Sequence, residues 1–176
     1  MPLPRLASLA AATLALAGCA SVQQLPTERL GSATLRFANG LPAGTAQLYG
    51  NGTEVNISIG LAGFQPGVHG VHLHMVGKCE APGFTSAGGH LNPGGHQHGS
   101  ENPSGAHLGD LPNATIGAGG AGTVSAVLRG TRSVILPQIF DADGTAVVVH
   151  AKADDYRTDP AGNAGDRIAC GVLSPS

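Results

Sequence analysis

The chain has 176 residues, which leaves room for one domain. Charged residues make up 11% and aromatic residues 3%, and with 28 glycines and 12 prolines this composition disfavours a helical bundle. The formal net charge of −2, without a basic patch, argues against nucleic acid as a partner. Histidine is the unusual residue, because its 8 copies nearly equal the 9 lysines and arginines together.

The first predicted element is a secretory signal over residues 1–18. Arg5 precedes an apolar run, residues 6–17, which is too short for an ordinary membrane-spanning helix. The Leu-Ala-Gly-Cys sequence that ends at Cys19 resembles the bacterial lipobox, in which the cysteine is lipidated. We therefore expect a lipidated tether over residues 19–30 and a domain over residues 31–176, anchored to a membrane of the periplasm or cell envelope. A plain signal peptide cut nearby is the alternative.

Export also bears on the cysteines. If Cys19 is lipidated, two cysteines remain, Cys79 and Cys170, which is an even number in an oxidising compartment. A bridge between them would close a long loop and contribute about 4–5 kcal/mol in the chain-entropy treatment. Two free buried thiols are the alternative.

Short strand-like runs follow in chain order, separated by glycine and proline turns. They cover residues 33–37, 45–49, 53–61, 67–76, 122–128, 134–140, 145–150 and 167–173. The Asn51-Gly52 pair is typical of a hairpin turn, and no segment after the signal shows helical periodicity. The pattern predicts an all-β protein, an eight-stranded antiparallel barrel or sandwich with Greek-key connections. Residues 77–112 show no periodicity, and so long an irregular segment is usually functional or disordered.

Histidines mark two parts of this pattern. His72 and His74 alternate on a predicted strand, which places both rings on one face, where they could share a metal. His90, His98 and His107 lie in the irregular segment among glycine and proline bends, and Asp110 follows. Three histidines and a carboxylate fit a tetrahedral zinc site, and the alternative is a flexible metal-scavenging tract.

A further histidine, His150, ends the apolar run at residues 147–149. A lone histidine at such a position is more often structural than a ligand. Asp154 and Asp155 follow it closely, and a carboxylate commonly orients a metal-bound imidazole from outside the ligand sphere.

The histidine motifs together resemble those of the copper/zinc superoxide dismutase family, in the same order over residues 31–173. The matching segments are Gly-Val-His-Leu-His at 70–74, Ser-Ala-Gly-Gly-His-Leu-Asn-Pro at 86–93, His-Gly at 98–99, His-Leu-Gly-Asp-Leu-Pro-Asn at 107–113, Val-His-Ala-Lys-Ala-Asp-Asp at 149–155 and Gly-Asn-Ala-Gly-Asp-Arg-Ile-Ala-Cys-Gly-Val at 162–172.

The resemblance implies a Greek-key barrel with long metal-binding and electrostatic loops, one copper and one zinc per chain, and dismutation of superoxide. It implies copper ligands at His72, His74, His90 and His150 and zinc ligands at His90, His98, His107 and Asp110. His90 would bridge the metals, and Asp154 would link them through His72 and His98.

The resemblance also implies that Cys79 and Cys170 form the family's disulfide. Arg167 would be the active-site cation, and His90 would take part in catalysis by holding a proton. His69 would tie backbone segments together, and His96 matches no ligand position. The protein would be a monomer or a homodimer. The alternatives are a copper-binding lipoprotein without turnover and a metal-stapled structural lipoprotein.

The chain also departs from the family pattern. Val71 and Leu91 stand where phenylalanine is common, which predicts altered packing beside the ligands. Met75 follows His74 where an acidic or small residue is frequent, and we expect it to fill the core rather than to favour Cu(I). The segment between Asp155 and Arg167 is short, so the family's substrate-guiding charges there are not carried over.

Overall fold

A computed structural model describes residues 27–176. The predicted signal, Cys19 and most of the predicted tether therefore lie outside the described residues. The strands are β1 Glu28–Phe37, β2 Pro42–Asn51, β3 Glu54–Ala62, β4 Gly67–His69, β5 Val71–His74, β6 Ala114–Ile116, β7 Ala121–Val127, β8 Ala146–His150, β9 Arg167–Val172 and β10 Ser174–Pro175. A 3-10 turn at Thr85–Ala87 and one helix, α1 at Arg132–Ile139, complete the regular structure of these residues.

A curled antiparallel sheet carries the fold, in the order β5-β8-β9-β1-β2-β3-β7, and β10 also pairs with β1. The predicted hairpin at Asn51-Gly52 joins β2 to β3, with Asn51 opposite Glu54. β4 and β6 form a separate pair. The all-β antiparallel architecture is confirmed.

The core lies inside the curl because one face of each strand is apolar. In β3, Val55, Ile57, Ile59 and Leu61 are buried and alternate with more exposed residues, the two-residue period of a half-buried strand. Strand β8 is buried throughout, which fits its position between β5 and β9. This central strand ends at His150 and delivers that ring to the edge of the core.

Residues 134–140 were predicted as a strand, and this prediction was wrong. They belong mainly to α1, in which Ile135 and Ile139 are buried four residues apart, on one face of the helix. The helix is eight residues long and contains Pro137, so β-branched residues and a proline obscured its period. None of the described residues forms a helix of the length and apolarity needed to cross a membrane.

The predicted strand at residues 67–76 is also divided. Gly70 separates β4, which pairs with β6, from β5, which pairs with β8. A Cβ at Gly70 would lie 3.0 Å from the Cβ of Ala164, so a larger residue would push away the segment packed against it. Strand β6 was not predicted, and β1 begins at Glu28, inside the segment expected to be a tether.

Candidate metal centre

Two neighbouring strands and one loop bring four histidines together. His72 and His74 lie on β5, and His150 is the last residue of β8, the strand that pairs with β5. An isolated bridge pairs His74 with His90 in the loop. The ligand atoms of His72, His74, His90 and His150 lie within 4.8 Å of one another, and these residues are called the four-histidine cluster below.

One nitrogen of each ring in this cluster has no hydrogen-bond partner. Within residues 27–176, the buried imidazole nitrogens left in this state are His72 Nδ1, His74 Nε2, His90 Nε2 and His150 Nε2. Leaving a buried polar atom unsatisfied costs about 1–3 kcal/mol, so four such atoms in one place fit a site that binds one common metal ion. Nitrogen-rich sites of this kind suit copper.

The second nitrogen of three rings is held by the surrounding protein. His72 Nε2 lies 2.8 Å from Asp154 Oδ2. His74 Nδ1 donates to the carbonyl of Gly88 over 2.9 Å, and His150 Nδ1 donates to the carbonyl of Gly165 over 3.0 Å. These contacts fix which nitrogen of each ring is free to bind a metal.

The other side of His90 belongs to a second cluster, formed with His98, His107 and Asp110 and called the three-histidine–aspartate cluster below. Asp110 Oδ1 lies 3.0 Å from His90 Nδ1, 3.0 Å from His98 Nδ1 and 3.2 Å from His107 Nδ1. The Nδ1 atoms of His90 and His107 lie 3.4 Å apart. Tetrahedral zinc ligands are roughly 3.3 Å from one another, so this donor set fits zinc.

His72 also lies near these atoms. The ligand atoms of His72, His90, His98 and Asp110 lie within 4.8 Å of one another. The unpartnered Nδ1 of His72 nevertheless belongs with the four-histidine cluster, and its Nε2 is held by Asp154. His107 completes the second cluster, because its Nε2 donates to the carbonyl of His96 over 3.1 Å and leaves Nδ1 facing Asp110.

Asp154 connects the two clusters. Its Oδ2 meets His72 Nε2, and its Oδ1 lies 2.9 Å from His98 Nε2. Asn113 holds the Asp154 backbone in place, because its side chain accepts from the Asp154 N–H and donates to the Asp154 carbonyl, both over 2.9 Å. Gly162 has a positive φ of 61°, and a Cβ there would lie 1.8 Å from Asp154 Oδ1, so this position requires glycine.

Burial keeps the imidazole rings of the four-histidine cluster neutral. Burial lowers the pKa of His72 to about 3, of His74 to about 2 and of His150 to about 4. Burial also lowers the pKa of His90, against an opposing hydrogen bond to Asp110. Neutral imidazole is the form that binds metals, so these rings need lose no proton from their free nitrogens at neutral pH.

The second cluster has the opposite electrostatic character. Burial lowers the pKa of His98, but hydrogen bonds to Asp110 and Asp154 outweigh this effect and raise the pKa to about 9. Burial raises the pKa of Asp110. Hydrogen bonds from His90 and His98 outweigh the effect of burial, so the pKa of Asp110 lies far below its ordinary value. Without metal, the protonated ring of His98 therefore lies between the carboxylates of Asp110 and Asp154.

Arg167 lies beside the four-histidine cluster at the start of β9. Its Nη1 donates to the carbonyl of Phe84 over 2.8 Å, and its Nη2 donates to the carbonyl of Gly88 over 2.7 Å. Both carbonyls belong to the loop that the Cys79–Cys170 disulfide ties to β9. The predicted disulfide is thus present, and it fixes the loop that orients the guanidinium.

The remaining histidines lie outside both clusters. His69 Nδ1 donates to the carbonyl of His150 over 2.8 Å, so it ties backbone segments together as predicted. The side chain of His96 is exposed, and its backbone carbonyl orients His107. Backbone carbonyls such as that of Gly88 escaped the sequence analysis, because they carry no side-chain signature.

Similarity to proteins of known family agrees with the geometry of the two clusters. A family model for copper/zinc superoxide dismutase matches residues 42–173. The chain is 36% identical to the Cu-Zn superoxide dismutase of Caulobacter vibrioides over 170 residues, 93% of this chain and 97% of that protein. It is 40% identical to Cu-Zn superoxide dismutase 2 of Aquifex aeolicus over 137 residues, 74% of this chain and 78% of that protein.

A solved structure of a SOD-like protein from Bacillus subtilis superposes with a TM-score of 0.74 at 36% identity, covering 84% of this chain and 100% of that one. Family match, sequence identity and fold agree with the two clusters of metal-binding side chains. The chain therefore belongs to the copper/zinc superoxide dismutase family and is an oxidoreductase of superoxide, with copper and zinc as its cofactors.

Proposed function

We propose that this chain holds copper in its four-histidine cluster and zinc in its three-histidine–aspartate cluster, and that it removes superoxide from the cell envelope. The observation that carries the assignment is the set of four unpartnered imidazole nitrogens, one from each of His72, His74, His90 and His150. Their opposite nitrogens are held by Asp154, by backbone carbonyls or by the second cluster.

Copper held at these nitrogens supplies the one-electron carrier that protein side chains lack. Over a full cycle, two superoxide ions and two protons yield one dioxygen and one hydrogen peroxide. The chain must therefore bind an anion beside the four-histidine cluster and deliver protons to the reduced product.

Arg167 is the group that binds the anion in this proposal. A guanidinium carries five N–H groups, and two of them are committed to the carbonyls of Phe84 and Gly88. Among the contacts within residues 27–176, the other three N–H groups are left to bind superoxide. Because both anchoring contacts are to backbone carbonyls of the loop that the disulfide ties to β9, the cation needs little reorganisation when the anion arrives.

His90 is the group that handles a proton in this proposal. Its Nδ1 lies in the three-histidine–aspartate cluster, whereas its Nε2 faces the four-histidine cluster. A proton held at Nε2 would lie at the cleft in which Arg167 binds the substrate. The Nε2 of His90 is therefore placed to pass a proton to the peroxide product formed beside Arg167.

The cell envelope is the proposed location. Support comes from the apolar run at residues 6–17, from the lipobox-like sequence ending at Cys19, and from the disulfide, which persists in oxidising compartments. Cys19 would carry a lipid that anchors residues 27–176 to a membrane. The superoxide removed would then be that arising outside the cytoplasm.

The test of the activity uses the full chain loaded with one copper and one zinc, as verified by metal analysis. It should dismute superoxide and be inhibited by cyanide, which binds copper. Copper EPR should show a nitrogen-ligated Cu(II) signal. Absence of turnover with both metals in place would instead favour a copper-storage role.

The test of the location uses Cys19→Ser in the native host. The variant should leave the membrane fraction while keeping its activity per copper. If the variant stays with the membrane after a high-salt wash, lipid attachment at Cys19 is excluded.

A further inference from the structure

Met75 departs from the core-filling role that the sequence predicted. Its side chain is 49% exposed, although it follows the buried ligand candidate His74 directly. A half-exposed side chain does not fill the core, so the core-filling prediction for Met75 was wrong. The chain contains two methionines, Met1 and Met75, and only the second belongs to the described domain.

The thioether of Met75 lies against the backbone that joins the metal ligands. The Met75 N–H donates to the carbonyl of Gly89 over 3.0 Å. A Cβ added to Gly88 would lie 3.1 Å from Met75 Cγ, and one added to Gly89 would lie 3.9 Å from Met75 Sδ. The sulfur is therefore held above the two glycines that lead into His90.

Met75 and three residues of the four-histidine cluster line the same cleft. The cleft has a volume of about 770 Å³, and His74, Met75, His90 and His150 line it. His74 is 1% exposed and His150 is 3% exposed, whereas Met75 is half exposed. A metal ion arriving from solvent can therefore meet the sulfur before it meets the imidazoles.

The charge of the cleft also favours an arriving cation. Three carboxylates line it, those of Asp141, Asp143 and Asp159, against the single guanidinium of Arg167. Asp141 is fixed, because its Oδ1 accepts the backbone N–H groups of Asp143 and Gly144 over 3.1 Å and 2.8 Å. Before metals bind, this balance attracts cations and raises their local concentration.

The chemistry of the thioether decides which cation binds most strongly at Met75. A thioether is a soft donor that selects Cu(I), and it carries no proton that must leave. From these observations we propose that Met75 is the entry ligand through which Cu(I) reaches the four-histidine cluster. The transfer is a ligand exchange without a redox change: the bond from copper to Met75 Sδ breaks as bonds to the free imidazole nitrogens form. This proposal rests on the assignment of that cluster to copper.

The test follows copper loading rather than activity. Zinc-loaded, copper-free full chain is mixed with Cu(I) in oxygen-free buffer containing acetonitrile, quenched at intervals with a Cu(I) chelator, and analysed for bound copper by mass spectrometry. The Met75→Leu variant keeps size and apolarity but lacks sulfur. It should load Cu(I) about tenfold more slowly than wild type and reach the same final copper content.

Controls separate the roles of sulfur and charge. Loading with Cu(II) should change less than about twofold in Met75→Leu, because a thioether selects the softer ion. Asp141→Asn, which keeps an oxygen for the Gly144 N–H, should slow both ions, and Cu(II) more than Cu(I), because Cu(II) carries twice the charge. Val134→Ala changes an exposed apolar side chain outside the cleft and should leave both rates unchanged.

Oxidation of the wild-type chain gives an independent test without a variant. Hydrogen peroxide applied to metal-free protein transfers one oxygen atom to Met75 Sδ and leaves water, and peptide mass mapping verifies the position. The sulfoxide should load Cu(I) as slowly as Met75→Leu, and methionine sulfoxide reductase should restore the rate. Wild-type Cu(I) rates in both the variant and the sulfoxide would overturn the entry role. Failure of wild type to retain one copper would overturn the copper assignment instead.

Discussion

Asp154 Oδ2 lies 2.8 Å from His72 Nε2, with both side chains fully buried. This contact leaves His72 Nδ1 as the nitrogen that faces the other three histidines of its cluster. The second oxygen of the same carboxylate reaches His98 Nε2 over 2.9 Å, so one side chain orients a ring in each metal cluster. The two clusters therefore share one orienting carboxylate.

Asp154→Asn should therefore weaken both metal sites. The amide keeps one acceptor oxygen and presents an NH₂ group to the second ring, so one imidazole loses its orientation. Partners of this kind typically contribute 10- to 100-fold to metal affinity, and we expect a loss of about that size for copper, zinc or both. Metal content after dialysis against a chelator measures it.

The matched control is Asp166→Asn, which removes an exposed carboxylate in the same loop region. It should retain both metals. Equal metal retention by the two variants would contradict the orienting role of Asp154.

The grouping of these histidines into two clusters was predictable because their spacing carries chemistry. Alternation placed His72 and His74 on one face of a strand, and single histidines among glycines marked the loop that supplies His90. The tautomer of each ring was not predictable, since it depends on partners such as the carbonyl of Gly88, which any residue could provide.

The fold was predictable in class but not in all its elements. Alternating apolar residues identified strands such as β3, whereas a helix of eight residues with an internal proline gave too little periodicity to be recognised. The exposure of Met75 was also not predictable, because it depends on how the loop at Gly88 packs over β5. Tertiary contacts decided each of these cases.

Arg167→Ala should reduce turnover while leaving both metals bound. The guanidinium donates to protein carbonyls and touches no ligand nitrogen in its described hydrogen bonds, so metal retention is expected. Loss of the local cation should lower kcat/KM roughly 10- to 100-fold, and the rate that remains should depend less on ionic strength. Pulse radiolysis at several salt concentrations measures both effects.

Arg157→Ala is the control for general charge loss, because Arg157 is an exposed cation that pairs with Glu101. Its kcat/KM should stay within about twofold of wild type, as expected for a surface ion pair. Wild-type kcat/KM in Arg167→Ala would remove the proposed anion-binding role.

Removing the disulfide should destabilise the protein and loosen the support of Arg167. Cys79 and Cys170 are 91 residues apart in sequence, and loss of such a crosslink typically costs about 2–5 kcal/mol. In Cys79→Ala/Cys170→Ala, urea unfolding should show a free energy lower by about that amount. The carbonyls of Phe84 and Gly88 should also become mobile, which lowers activity per bound copper. Unfolding at the wild-type midpoint would contradict the prediction.

Zinc binding should release a proton from His98, and its pH dependence tests the charge of the metal-free cluster. Burial lowers the pKa of His98, but Asp110 and Asp154 raise it to about 9, above the ordinary value of 6.5. At pH 8 the ring is therefore still protonated on both nitrogens without metal, and zinc can bind Nδ1 only after that proton leaves. Asp110 contributes none, because its pKa is lowered.

Calorimetric titration of zinc at pH 8 in buffers of different ionisation enthalpy measures this release. About one proton per zinc is expected at this pH. A histidine of ordinary pKa would be neutral at pH 8 and release almost none. In Asp154→Asn the pKa of His98 should fall and the release at pH 8 should decrease with it. Zinc binding without proton release by the wild-type chain at pH 8 would show that His98 is neutral between its two carboxylates.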